Sequence, residues 1–153
     1  MTPPAPTSKR PTRLSRVAVS IIIGLLSLSF LSGAMVWWGT HQALGFDLAE
    51  GSSFSIRPWL VLHGALNPFL CGLFGWLCYG HVRGGWTMRA NRRSGSVMIS
   101  VFGALILTGS GLYYVGHESA RVVLKEAHEW IGLLLPAVLL AHYLAARRWV
   151  KNL

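Results

Sequence analysis

The stretch HEWIGLLLPAVLLAH, residues 128–142, is an apolar run that begins and ends with histidine. In an α-helix each residue turns by about 100° and rises by about 1.5 Å. Fourteen residues therefore place His128 and His142 within about 40° of one helix face, at depths about 21 Å apart. The stretch predicts one helix that presents two imidazoles to the same side.

The rest of the chain is equally apolar, since 52% of its 153 residues are hydrophobic and only 12% are charged. Soluble domains carry about a quarter charged residues. Crossing a bilayer takes about 20 apolar residues per helix, and four stretches qualify: 17–38, 58–81, 96–116 and 127–146. We expect an all-α, four-transmembrane-helix bundle over residues 17–147, with a disordered tail at 1–16 and a second tail at 148–153. A cleaved signal peptide is the alternative for the first stretch.

Basic residues indicate the orientation of these helices. Eleven of the 14 lysines and arginines lie in the N-terminal tail, the middle loop and the C-terminal tail, whereas all five acidic residues lie on the opposite side of the predicted bundle. An excess of lysine and arginine marks the cytoplasmic side. We therefore expect both termini to be cytoplasmic, in the inner membrane, and we interpret the net charge of +9 as topology and not as nucleic-acid binding.

The second predicted helix also carries two histidines, His63 and His81, eighteen residues apart and thus on one face. The second and fourth helices run in the same direction, so His63 and His128 should lie near the outer boundary and His81 and His142 near the inner one. One histidine from each helix at matching depth is the ligand set that clamps a heme iron. The pattern predicts two hemes, with His63, His81, His128 and His142 as axial ligands.

Several features leave room for other interpretations. The two histidine spacings differ by about 6 Å along the helix axis, a difference that tilt and kinks at Pro68 and Pro136 would have to absorb. His81 lies beside Arg83 at the inner interface, and the alternative is that it is an ordinary interfacial residue. In that case His142 has no partner and only the outer heme is present. His41 and His117 lie just outside the first and third helices, as interfacial residues or as replacement ligands.

Smaller side chains near the histidines suggest how a porphyrin fits. We expect Asn67 to hydrogen-bond the ring of His63 or a heme propionate, or else to join two helices. Cys71 and Cys78 are expected to be apolar filler. Glycines in the second and third helices should give the porphyrin room: Gly64, Gly72, Gly75, Gly80, Gly103, Gly109 and Gly111.

The segment from His128 to His142 resembles the last helix of the bacterial cytochrome b561 family, and RPWLVLHGAL, residues 57–66, is similar to its second-helix ligand segment. LTGSGLYYVG, residues 107–116, resembles small members of that family. The resemblance implies four helices, heme b, and electron exchange with quinone or a partner redox subunit, with His63, His128 and His142 as ligands. The family's first helix usually carries an inner-side histidine, whereas no histidine precedes His41 here, so His81 rests on geometry alone.

These observations predict a b-type cytochrome that moves electrons within or across the membrane. The sequence shows no nucleophile or acid–base pair suited to other catalysis, and whether the chain is an enzyme depends on its chemistry with quinone. Two other functions are compatible with the pattern: a heme-free membrane anchor or assembly subunit, and a metal or proton transporter that uses intramembrane histidines.

Overall fold

The structure, a computed structural model, describes residues 14–45, 55–89 and 91–151, and the side chains from 14–41, 55–89 and 91–148. These residues form helices and no strand. In chain order the helices are α1 (Arg16–Gly45), α2 (Arg57–Leu77), a π-helical turn (Cys78–Val82), α3 (Arg83–Thr87), α4 (Arg92–Tyr114) and α5 (Glu118–Lys151). The π-helical turn joins α2 to α3 without a break. The all-α, four-helix prediction is confirmed.

Four segments are long and apolar enough to cross a membrane: Arg16–His41, Arg57–Thr87, Arg92–Tyr114 and Glu118–Arg148. They contain the four predicted spans apart from residues 115–116, but α5 begins nine residues earlier than expected and runs on through Lys151. Residues 148–151, expected to be part of a tail, therefore continue the last helix. Of the N-terminal tail 1–16 that was expected to be disordered, residues 1–13 lie outside the described residues, and Arg16 already begins α1.

Local sequence explains where the helices begin and end. The Ser15 hydroxyl accepts a hydrogen bond from the Ala18 N–H at 3.1 Å, which caps the start of α1. Pro58 occupies the first turn of α2, where its missing N–H costs no helical hydrogen bond. Asn91 takes a left-handed conformation, with φ of 49°, immediately before α4. The Arg92 guanidinium then donates to the Trp86 carbonyl at 2.7 Å and closes the turn between α3 and α4.

The helices pack as a ring of four. The closest pairs are α1 with α2 and α4 with α5, and further contacts join α1 to α5 and α2 to α4. Each of these partners is therefore a neighbour in the ring, and α2 and α5 occupy opposite corners. Side chains on α2 and α5 that point into the bundle consequently face each other across its centre.

An aromatic stack crosses the middle of this bundle. Phe102 of α4 is buried, and its ring stacks on that of Phe74 of α2 with centroids 5.4 Å apart and planes at 3°. Phe74 lies eleven residues after His63 on α2 and seven before His81 in the π-helical turn that continues this helix, so the three residues lie on nearly one face. The stack thus lies at a depth between His63 and His81.

Candidate functional site

The four histidines predicted from the sequence as ligands come together as two pairs across the bundle. The rings of His63 and His128, here called the first pair, have centroids 6.0 Å apart and planes at 79°. The rings of His81 and His142, the second pair, have centroids 6.3 Å apart and planes at 83°. The predicted partners therefore meet in the predicted combination, and all four side chains are half-buried.

The first imidazole, His63, is held by α1. Its Nδ1 lies 3.0 Å from the Ser29 carbonyl oxygen and 3.2 Å from the Ser32 hydroxyl oxygen. A carbonyl oxygen can only accept, so Nδ1 of His63 must carry the proton. The Ser32 hydroxyl itself donates to the Ser29 carbonyl at 3.0 Å, so its oxygen accepts from His63. This network assigns the free lone pair of His63 to Nε2.

Its partner His128 is held in the same way by α4. His128 Nδ1 lies 3.0 Å from the Thr108 hydroxyl oxygen. That hydroxyl donates to the Ala104 carbonyl at 2.7 Å, so its oxygen accepts the proton of His128 Nδ1. In their neutral form, both imidazoles of the first pair therefore donate at Nδ1 and keep a lone pair on Nε2, the state in which histidine binds a metal.

The second pair is held less tightly. His142 Nδ1 lies 3.1 Å from the Ser94 hydroxyl oxygen, and the Ser94 hydroxyl reaches the Asn91 carbonyl only at 3.5 Å. The imidazole of His81 makes no hydrogen bond with any residue that the structure describes. It belongs to the π-helical turn Cys78–Val82, a conformation that is frequent at functional sites.

Two glycines give the first pair its space. A Cβ atom on Gly33 would lie 2.9 Å from Cε1 of His63, and a Cβ on Gly109 would lie 3.0 Å from Cε1 of His128. Any larger residue at these positions would push the imidazoles out of place. Only glycine at these two positions leaves enough space for the two imidazoles.

The other glycines predicted to give a porphyrin room differ in what a side chain would meet at their positions. Gly64 approaches the hydroxyl of Tyr113, and Gly111 approaches Leu124, so both serve contacts between helices. Gly72 and Gly75 of α2 and Gly80 of the π-helical turn are exposed, and a Cβ atom on any of the three would meet no other atom within 4 Å. A Cβ atom on Gly103 would meet no other atom within 4 Å.

The remaining polar candidates lie away from the pairs. His41 and His117 are exposed, and their Nδ1 atoms contact the Trp37 carbonyl at 2.9 Å and the Ser119 hydroxyl at 2.9 Å. Asn67 accepts a weak hydrogen bond from the Cys71 thiol at 3.7 Å. Of the three alternatives for Asn67, the hydrogen bond to the His63 ring is not observed, because Ser29 and Ser32 hold His63 Nδ1. The contact with a heme propionate and the contact between helices stay predictions.

The ring separations within the pairs fit a metal bound between two imidazoles. A metal–imidazole nitrogen bond is about 2 Å long, and a five-membered ring with bonds of about 1.35 Å places its centroid about 1.1 Å from each atom. Two imidazoles on opposite sides of one ion then have centroids about 6.2 Å apart. The observed values of 6.0 and 6.3 Å agree with this arrangement.

The number of ligands distinguishes between metals. Among the described residues no three His, Cys, Asp or Glu side chains form a cluster, so each pair offers two protein nitrogens. Zinc sites use three or four protein ligands. Heme iron takes its four equatorial nitrogens from the porphyrin and needs only two axial ligands from the protein. The donor set therefore fits heme better than a bare ion.

Comparisons with known proteins identify no relative: no family model, no curated protein and no solved structure matches the chain.

Sequence reasoning found the four histidines but missed the groups that hold them. Thr108 and Ser94 are fourteen residues apart on α4, and His128 and His142 are fourteen residues apart on α5. In an antiparallel pair of helices, equal spacings bring both hydroxyls opposite both imidazoles. This shared spacing is a signal in the sequence that could have identified the hydroxyls as partners.

Proposed function

We propose that the chain is a b-type cytochrome of the cytoplasmic membrane, in which the first pair and the second pair each hold one heme b. The observation that carries this proposal is the ring separation of 6.0 and 6.3 Å within the pairs, close to the value for two imidazoles on one iron. Both pairs lie between α2 and α5, at opposite corners of the ring of helices. The interior of the bundle is thus the place where two flat cofactors would be clamped.

A heme iron with two imidazole ligands exchanges single electrons and leaves no open position for a substrate. The chain's own residues serve this role by fixing the ligands. Ser29, Ser32 and Thr108 hold the Nδ1 protons of the first pair, so that both Nε2 lone pairs remain available. Such partners orient a ligating histidine and make it a stronger donor. Electron transfer is the chemistry that this arrangement supports.

Two hemes at two depths suit transfer across the bilayer. His128 and His142 lie on one continuous helix, α5, and are separated by about 21 Å along its axis. A porphyrin extends outward from its iron, so the gap that an electron must cross is shorter than this. Phe74 and Phe102 pack together between the two depths and keep the two sites separate.

The direction across the membrane follows from the charges. Basic residues cluster beyond the second pair, on α3, the start of α4 and the end of α5: Arg83, Arg89, Arg92, Arg93, Arg147 and Arg148. By the excess of positive charge on the cytoplasmic side, both termini are cytoplasmic, the second pair is the inner one and the first pair is the outer one. Quinone or a partner redox subunit exchanges electrons with these ends of the bundle.

The test is the absorption spectrum of the purified protein. Dithionite-reduced wild-type protein should show sharp b-type bands, because two neutral imidazoles are strong-field ligands for heme iron. His63→Ala and His128→Ala should each lose part of this absorption. His41→Ala and His117→Ala are matched controls, because among the described residues these exposed histidines hydrogen-bond to neighbours in the sequence and to neither pair. Both variants should keep all of the absorption.

A colourless wild-type protein would contradict the proposal. It would favour a heme-free anchor or assembly subunit if no metal is bound either. Bound copper or zinc in place of heme would favour the transporter. Equal loss of absorption in the His41 and His117 controls would show that the bands do not report on the two pairs.

A further inference from the structure

The two histidine pairs differ in how many hydrogen bonds their Nδ1 atoms make. In the first pair, His63 has two acceptors within 3.2 Å and His128 has one at 3.0 Å. In the second pair, His142 has one acceptor at 3.1 Å, and His81 has none among the described residues. The first pair thus has three such contacts and the second pair one.

The hydroxyl acceptors of His128 and His142 also differ in how firmly their own hydrogen bonds orient them. The Thr108 hydroxyl is fixed by its own short bond of 2.7 Å to the Ala104 carbonyl, so its lone pair points at His128. The Ser94 hydroxyl has only a contact of 3.5 Å to the Asn91 carbonyl to orient it. A hydroxyl that is free to rotate is a weaker acceptor on average. The one contact in the second pair is therefore also the looser one.

A hydrogen bond that pulls on the Nδ1 proton raises the basicity of the imidazole and strengthens its bond to a metal. A stronger donor stabilises ferric iron, which carries the higher charge, more than ferrous iron. Hydrogen bonding around the ligands is one of the means by which a protein sets the potential of a heme. More contacts at Nδ1 consequently mean a lower midpoint potential.

We propose that Thr108, Ser32 and the Ser29 carbonyl are positioning groups that make the heme held by His63 and His128 the lower-potential one of the two. This inference rests on the proposed function. With hemes bound, the first pair would hold the electron donor of the two and the second pair the electron acceptor.

The charges around the two sites also favour a higher midpoint potential at the second pair than at the first. Arg83 follows His81 by two residues, and Arg92 and Arg93 begin the helix that supplies Ser94. Glu129 follows His128, with its side chain 15% exposed and 3.6 Å from Lys125. Positive charge near a heme favours the ferrous state. Because the arginines are exposed and screened by salt, the hydrogen bonds are the stronger part of the argument.

The test is a spectroelectrochemical titration of the purified, heme-loaded protein. Wild type should show two separate midpoint potentials. Thr108→Val keeps the shape of the side chain but removes the acceptor, so it should raise the lower potential and leave the upper one unchanged. Thr108→Ser should restore the wild-type value. Ser94→Ala should raise the upper potential, and Ser96→Ala is its control, because the Ser96 hydroxyl bonds only to its own helix at the Arg92 carbonyl.

Ser32→Ala gives a second, milder variant, because the Ser29 carbonyl still accepts from His63. It should raise the lower potential by less than Thr108→Val does, and it serves alone if Thr108→Val does not retain heme. Two hemes of equal potential, a single heme, or a response of the upper potential to the Thr108 or Ser32 variants would overturn this inference while leaving the protein a cytochrome. Wild-type protein without heme would overturn the proposed function itself.

Discussion

The imidazole of His81, in the π-helical turn that continues α2, lies opposite that of His142 on α5, with ring centroids 6.3 Å apart. The two residues differ in their distance along the chain from the histidine of the first pair that precedes each of them. His81 follows His63 by eighteen residues, whereas His142 follows His128 by fourteen. The π-helical turn Cys78–Val82 contains His81. A turn closed by i→i+5 hydrogen bonds holds more residues than an α-turn, so it takes up part of the difference.

The close approach of Gly33 to His63 predicts the effect of one methyl group. In Gly33→Ala the new Cβ would lie 2.9 Å from Cε1 and 3.2 Å from Nδ1 of His63. The ring cannot move away without lengthening its hydrogen bond to the Ser29 carbonyl. We therefore expect the affinity of the first pair for heme to fall roughly tenfold, the lower end of the range for losing a contact that supports a ligand. The transfer of heme to apomyoglobin measures the rate at which heme dissociates from the protein, which should rise accordingly.

Gly24→Ala is the matched control on the same helix, because a Cβ there would meet no atom within 4 Å. Alanine also favours a helix over glycine by up to about 1 kcal/mol. We expect this variant to keep both hemes as firmly as wild type. Equal loss of heme from both variants would show that the space beside His63 is not what matters.

The aromatic stack predicts where the bundle derives stability. Phe102 is only 7% exposed and stacks on Phe74. Phe102→Ala leaves a cavity in the interior, and such truncations cost about 3–5 kcal/mol. Denaturant unfolding in detergent micelles should show a loss of this size. Phe69→Ala is the control: Phe69 is 64% exposed, and its truncation should change the unfolding free energy by less than about 1 kcal/mol.

Membrane orientation is a separate prediction. With both termini in the cytoplasm, a reporter enzyme that is active only in the periplasm should be silent when fused after Leu153. The same reporter inserted after His117, between α4 and α5, should be active. The reverse pattern of activity would place the second pair, and not the first, near the outer surface.

Much of this fold follows from the sequence because its signals are local and periodic. Apolar stretches of about 20 residues predict the four helices, and the period of 3.6 residues places His63 with His81, and His128 with His142, on shared faces. Matching the faces across the bundle then predicts both pairs. No contact between distant segments has to be known beforehand, apart from the alternating direction of the helices.

The groups that hold the histidines could not be predicted in the same way. A serine or threonine inside a membrane helix commonly bonds to its own backbone, as Thr40 does to the Val36 carbonyl at 3.1 Å. Ser32 and Thr108 also do so, and they contact a histidine only because α1 packs on α2 and α4 packs on α5. Asn67 lies one turn from His63 on the same helix but does not hold its ring, because the hydrogen-bond partners of His63 come from α1.

The extent of the last helix and the π-helical turn were missed for a related reason. The residues from Glu118 to Glu126 carry several charges and do not resemble a membrane span, yet they have no helix breaker and extend α5 beyond the apolar run. No pattern of glycine and proline residues in the sequence indicates the π-helical turn. The turn Cys78–Val82 contains His81, which lies eighteen residues after His63 and has to match His142, which lies fourteen residues after His128.

The most direct measurement of the central claim is the number of hemes per polypeptide in wild type, His81→Ala and His117→Ala. The two pairs predict about two hemes in wild type, about one in His81→Ala, and about two in His117→Ala, whose exposed imidazole contacts Ser119 and neither pair. One heme in wild type, or two in His81→Ala, would contradict the assignment of His81 and His142 as a ligand pair.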